Sequence, residues 1–170
     1  MPKAEPYAFR PLAVADLPLL AEWLESRHVR RWWSDPAKAL ASMEKHIDAA
    51  SVSCFMVTLS GKDFAFIQAA DLDEVDDEAL AGQPKGTYGI DRFIGIEELA
   101  GKGHGPAFMI GFCNMLFAKG AQRILVDPHP DNAFAIRAYT KAGFQGLGET
   151  TTNYGRALLM ALDRQENDTQ

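Results

Sequence analysis

Three glycines alternate at Gly101, Gly103 and Gly105, directly ahead of an apolar stretch at helical spacing. A helix start offers backbone N–H groups with no intrahelical partner and roughly half a positive charge. Glycines in front of it let a phosphate approach the backbone closely. Gly101-Lys102-Gly103-His104-Gly105 therefore has the make-up of an anion cradle, with Lys102 as a nearby cation. A flexible bend without a ligand would use the same residues. Two familiar phosphate loops are excluded. Lys102 is followed by glycine, whereas a P-loop needs Ser or Thr there. The spacing is G-x-G-x-G, and Glu-Glu-Leu-Ala separates it from the preceding strand, unlike a dinucleotide-binding loop.

Two further groups bear on chemistry. Asp91 lies within "TYGIDRFI" and on its own reads as a strand residue paired with a cation such as Arg92. In "VDPHPDNAFAIRAYTKAGFQ", separations of three and four place Asn132, Ala135, Ile136 and Tyr139 on one side of a helix. Tyr139 alone fits an amphipathic core position with its hydroxyl paired. Cys54 and Cys113 sit in apolar stretches and read as buried thiols in a reducing cytosol. The four histidines are far apart in sequence, and no Cys/His cluster has metal spacing, so no metal is expected.

These residues need elements to carry them. Residues 7–10 alternate as a first strand. Asp16 is placed to cap a helix bearing Leu17, Leu20 and Leu24, and Asp35-Pro36 starts another bearing Leu40, Met43 and Ile47. "RHVRRWW" breaks the pattern between them. Runs at 54–59 and 64–70 flank Ser-Gly-Lys-Asp and predict a hairpin. Residues 71–86 read as a loop or frayed helix, opening with six acidic residues in eight. Strand 87–94, the glycine loop, a helix over 106–118, strand 123–127 and a helix over 133–142 stopped by Gly143 follow. Two closing strands complete an α+β fold, a mostly antiparallel mixed sheet holding one parallel pair. A single domain is expected over 1–163, with a disordered tail at 164–170.

Composition narrows the functions. The chain has 170 residues, 47% of them hydrophobic and 24% charged, as in ordinary globular proteins. A formal charge of −6 argues against nucleic acid as a partner. No apolar run approaches the ~20 residues of a membrane span, and the first residues lack a signal peptide's apolar core, so a cytoplasmic protein is expected.

Taken together, the motifs resemble the GNAT superfamily of acyl-CoA-dependent N-acetyltransferases. The superfamily's loop, Arg/Gln-x-x-Gly-x-Gly/Ala, is met by residues 100–105 except that Ala100 stands at the first position. Its later pattern, Asn-x-x-Ala-x-x-x-Tyr-x-Lys-x-Gly-Phe, is met by Asn132, Ala135, Tyr139, Lys141, Gly143 and Phe144. "YGIDRFIG", "GKGHG" and the Val-Asp-Pro turn further resemble the aminoglycoside 6′-N-acetyltransferase branch. That branch often carries tryptophans before its Gly-Ile-Asp strand; none lies between Phe64 and Thr87 here.

The resemblance implies a GNAT fold with a splayed parallel pair and helices on both faces of the sheet. It implies acetyl-CoA as donor and a small cationic amine as acceptor, with the 6′-amine of an aminoglycoside foremost and antibiotic resistance as the associated role. An amine with pKa ~10.4 costs about 4–5 kcal/mol to neutralise at pH 7, and Asp91 is implied as the group that assists. Tyr139 would protonate the departing thiolate. Amides around Phe93 and Ile94 would hold the oxyanion, residues Gly101 to Gly105 the diphosphate, and Asn132 the pantetheine arm. Asp127 either caps its turn or grips substrate ammonium. The acidic run 71–78 is either a solvated loop or a wall that attracts a polycation. A siderophore hydroxylamine, a protein α-amine or a non-catalytic CoA-binding module are the alternatives. The protein is expected to be a monomer or homodimer.

Overall fold

The computed structural model describes residues 6–165. Seven strands hydrogen-bond in the order β1-β2-β3-β4-β5-β7-β6. They are β1 (Tyr7–Pro11), β2 (Val52–Leu59), β3 (Lys62–Asp71), β4 (Thr87–Ile94), β5 (Arg123–Val126), β6 (Gln145–Thr152) and β7 (Gly155–Asp163). The β4–β5 pair is parallel, while β1–β2, β5–β7 and β6–β7 are antiparallel, as the order of elements predicts. The described residues divide into two compact units, 6–69 with Asp91–Lys102, and Ala70–Ile90 with 103–165.

In the first unit, helices α1 (Leu17–Glu25), α2 (Arg27–Arg30) and α3 (Pro36–His46) join β1 to β2. Leu20, Trp23 and Leu24 recur at helical spacing on α1 and are buried. They share a core with Val29, Met43, Met56, Phe66 and Phe93. The short α2 occupies the stretch where the sequence shows only a broken pattern. Asp35 accepts from the Lys38 amide at 3.1 Å and Pro36 is the first residue of α3, as expected. Asp16 departs from expectation. It stands ahead of α1 but makes no side-chain cap there. Its carboxylate takes the Arg10 guanidinium at 2.8 and 2.9 Å and the Ala13 amide at 2.9 Å. A two-pronged, charge-assisted pair outcompetes a single amide. The hairpin turns tightly through Ser60 and Gly61 alone, so β3 begins two residues earlier than expected.

Gly95 follows β4 and lies against Trp23. A Cβ at this position would sit 2.0 Å from the indole ring. Trp23 is itself packed edge-on to Phe93, so it has nowhere to retreat.

In the second unit, helices α4 (His104–Ala118) and α5 (Ala133–Lys141) flank β5 in sequence. Helix α4 buries Phe108, Met109, Phe112, Cys113, Leu116 and Phe117. It begins two residues before the expected position. Pro106 is thus its third residue, where a missing N–H forfeits no intrahelical bond. Residues 71–86 form two single 3-10 turns, Leu72–Glu74 and Glu78–Leu80. Arg123 and Asp163, paired across β5 and β7, form a two-pronged ion pair that holds the aspartate below the usual carboxylate range. Of the tail expected at 164–170, residues 166–170 lie outside the described residues. Arg164 is bonded through its backbone to the Gln122 carbonyl at 2.9 Å and through its guanidinium to the Ala121 carbonyl at 3.0 Å.

Gly95→Ala drives a methyl group into the Trp23 ring. We expect it to cost about 1–3 kcal/mol or more, the scale of overpacking a filled core. Chemical denaturation against the wild type measures this, and an unchanged midpoint would contradict the packing described.

Candidate active site

Strand β4 carries the candidate base and the candidate oxyanion amides. Its parallel ladder with β5 runs from the Thr87–Arg123 pair to the Gly89–Leu125 pair and stops. The Gly95 amide donates to the Phe64 carbonyl on β3 at 2.8 Å. Backbone groups alternate sides along a strand. Phe93 therefore turns its amide toward β3, as Gly95 does, and Ile94 turns its own the other way. Of the two residues the sequence singles out for the oxyanion, only Ile94 faces the side where the parallel pairing has ended. Phe93 instead supplies a ring to the core, stacked 5.4 Å from Phe66.

Asp91 is three residues earlier on β4. Its carboxylate reaches solvent, yet protein atoms crowd it closely, so it is recessed but open. Desolvation pushes its carboxyl above the usual aspartate range, and a hydrogen bond from Gln68 opposes that push. The Gln68 Nε2 to Asp91 Oδ2 distance is 3.4 Å. Cys54 Sγ donates to the Gln68 Oε1 at 3.6 Å, which orients the amide so that its N–H groups face the acid. A carboxyl biased toward its protonated form is one that takes a proton readily.

Sequence reasoning missed two participants in this unit. Gln68 is the polar residue inside the apolar run "FAFIQAA", and that interruption was the available signal. His28 donates through Nε2 to the Ile94 carbonyl at 2.8 Å, tying α2 to the end of β4. Nothing in its local sequence marked it.

The glycine loop has the expected backbone. Gly101 and Gly103 have φ of +74° and +86°, a region that side chains disfavour, and Gly103 is the N-cap of α4. Space around a Gly103 Cβ is empty, so the constraint there is conformational rather than steric. Gly101, Lys102 and Gly103 are exposed, while Gly105 is buried in the first turn of α4. The candidate cradle thus runs from an exposed loop into the buried first turn of the helix. His104 opens the helix and is partly buried.

Helix α5 is capped by Asn132, whose Oδ1 accepts from the Ala135 amide at 3.1 Å. Asn is among the preferred residues for this N-cap role. Tyr139 is 7% exposed and packs edge-on against Phe144, the centroids 5.6 Å apart. Phe144 returns its amide to the Tyr139 carbonyl at 3.0 Å around Gly143, whose φ is +103°. Asp127 is partly buried directly after β5. In the acidic run, Asp71 caps the Asp73 amide, and Asp77 accepts from the Ala79 and Asn153 amides at 3.0 and 2.9 Å. Asp73, Glu74, Asp76 and Glu78 are exposed.

A mixed sheet with one parallel pair that ends early, a glycine-capped helix after β4 and an Asn-capped helix carrying a tyrosine define a GNAT fold. Residues 13–152 match the acetyltransferase (GNAT) domain family. The chain is 31% identical over 159 residues to the aminoglycoside N(6′)-acetyltransferase type 1 of Klebsiella pneumoniae, covering 88% of this chain and 79% of that one. The structure of AAC(6′)-Ib with coenzyme A superimposes with a TM-score of 0.84 at 29% identity, over 93% of this chain and 95% of the other. AAC(6′)-Ib with coenzyme A and kanamycin gives 0.83 at 30% identity over the same shares. The chain belongs to the GNAT acetyltransferase family and is an acyltransferase, as the resemblance implied.

The environment of Asp91 makes a thermodynamic prediction. A carboxyl with a raised folded-state pKa is costly to the fold when ionised. That cost is complete above the folded pKa and absent below the unfolded value of about 3.9. Asp91→Asn should therefore raise Tm at pH 8, and the gain should shrink as pH falls toward 4. Calorimetry of both proteins across that range measures it; a lower Tm for the variant at pH 8 would contradict the desolvated environment described.

Proposed function

We propose that the protein transfers the acetyl group of acetyl-CoA directly to a primary amine of a small cationic acceptor, the 6′-amine of an aminoglycoside by analogy with its relatives. The observation that carries this reading is the recessed Asp91, biased toward taking a proton, three residues from an Ile94 amide turned away from β3. Asp91 takes a proton from the acceptor ammonium, directly or through water. The neutral nitrogen attacks the thioester carbon, and the Ile94 amide stabilises the oxyanion. The C–S bond then breaks, Tyr139 protonates the departing thiolate, and the second proton of the attacking nitrogen leaves to water, from which the tyrosine oxygen is reprotonated. The Phe93 amide, facing β3, has no part in this scheme.

The amides around Gly101, Lys102, Gly103, His104 and Gly105 hold the diphosphate, supported by the positive end of α4 and by the Lys102 ammonium. The Asn132 oxygen is engaged with α5, which leaves its amide N–H groups for the pantetheine arm. Asp127 binds a second ammonium of the acceptor, and the four exposed acids between Asp73 and Glu78 draw polycations toward the protein. We place the enzyme in the cytoplasm, a reducing compartment suited to its two free thiols.

Thiol release from acetyl-CoA against kanamycin, ribostamycin, polyamines and peptides tests this. We expect turnover with at least one aminoglycoside. Asp91→Asn and Tyr139→Phe should each slow it about 10²-fold or more, the scale of a lost acid or base. Unchanged rates in both variants would remove these assignments.

A further inference from the structure

Strand β3 buries Phe64, Ala65, Phe66, Ile67 and Ala69 and carries one amide, Gln68, in the same run. An amide in such a setting is costly unless both its ends find partners. Both do, and the partners stand on the strands at either side. Cys54 on β2 donates through Sγ to Gln68 Oε1 at 3.6 Å, and Gln68 Nε2 donates to Asp91 Oδ2 on β4 at 3.4 Å. All three residues belong to the first unit. An ionised carboxylate only accepts, so it selects the amide nitrogen. Burial pushes the Cys54 thiol up to about 11, so it stays protonated at neutral pH and donates to the oxygen left over. A flipped amide would set oxygen against the carboxylate and leave the thiol hydrogen without its acceptor.

Among the described residues Asp91 has no ion-pair partner, and Arg92, next on β4, projects to the opposite face of the sheet. The bond from Gln68 is thus the hold on this acid, and it engages Oδ2 alone. We propose that Gln68 is a positioning residue for acyl transfer, holding Oδ2 of Asp91 so that Oδ1 is presented to the acceptor amine, and that Cys54 acts through it by fixing which end of the amide faces the acid. The inference rests on Asp91 as the base of the proposed function and deepens that reading. The same bond has a second consequence. A carboxyl must be ionised to take a proton. Crowding favours the protonated form of Asp91, and the Gln68 N–H groups favour the ionised one. Gln68 therefore extends toward acid the pH range in which the base is ready.

Titration of the Asp91 carboxyl by carbon-13 NMR, assigned with Asp91→Asn, tests this apart from catalysis. Gln68→Met removes the donor at similar volume. The midpoint should rise by about half a pH unit or more, the scale of one lost hydrogen bond. Cys54→Ala should raise it by less. The double variant should rise no further than Gln68→Met alone, because Cys54 acts only through Gln68. In turnover, the acid limb of kcat/KM for the acceptor should move up with the midpoint. At neutral pH kcat should fall about tenfold or more, the scale of a misplaced catalytic group, while KM for acetyl-CoA holds. An unmoved midpoint in Gln68→Met would overturn the proposal. A Cys54→Ala shift that adds in full to that of Gln68→Met would overturn the part given to Cys54. Should Gln68→Met not fold, Cys54→Ala decides alone, and an unmoved midpoint there overturns the proposal. Midpoints that move as expected, with no turnover of any amine, would uphold the hold on the carboxyl while refuting the acetyl-transfer reading.

Discussion

A backbone amide or carbonyl taken out of water must find a partner, and the amides proposed to hold the oxyanion and the diphosphate come from places where the regular partner is missing. The β4–β5 ladder ends at Gly89, and the first turn of α4 has no preceding turn to bond to. Both are ordinary consequences of ending a regular element. What is specific here is that the sequence keeps the chain extended through Ile94 and folds it into α4 through glycines at positive φ. The donors are left in defined directions rather than buried against side chains. A thioester oxygen and a diphosphate are ligands that such donors suit.

The side chains around β4 serve that backbone. Trp23 fills the volume that Gly95 leaves, and Phe93 and Phe66 stack beneath the strand. With its inward face packed, β4 has little freedom to shift, so the direction of the Ile94 amide is inherited from the core. His28 fixes the carbonyl of the same residue from outside. Asp91 gains its bias toward protonation from crowding alone, while the Cys54–Gln68 pair keeps one hydrogen-bond donor in front of it. The carboxyl is thereby held in place without being committed to a cation, unlike Asp16 or Asp163, each bound by an arginine.

Much of this was legible in the residues. The strand at 87–94 matches the observed bounds, its Thr, Tyr, Ile and Phe residues outweighing the poor strand formers Gly89 and Asp91. The caps at Asp35 and Asn132 and the stop at Gly143 were visible as local chemistry. Most of the failures trace to partners distant in sequence, and one to a local misreading. Asp16 was read by its neighbours in sequence, whereas its partner is Arg10 across a loop, joined by Asp63 on β3. The start of α4 was misplaced because Pro106 was taken for the first helical residue, although any position in the first turn tolerates proline. Phe93 and Ile94 could not be told apart, since only the bond from Gly95 to Phe64 sets the phase of the strand. Gln68 and His28 act through contacts 23 and 66 residues away, and no local pattern encodes such a contact.

The two cysteines have a practical bearing that their placement decides. Cys54 and Cys113 are 7% and 1% exposed, and burial pushes their thiols up to about 11 and about 12. At neutral pH almost none of either is thiolate, the form that exchanges with aromatic disulfide reagents. The folded chain is therefore nearly silent toward such dyes, and colour that develops during turnover comes from liberated coenzyme. A slow rise in the absence of both acceptor and acetyl-CoA would report the polypeptide opening rather than chemistry at its centre.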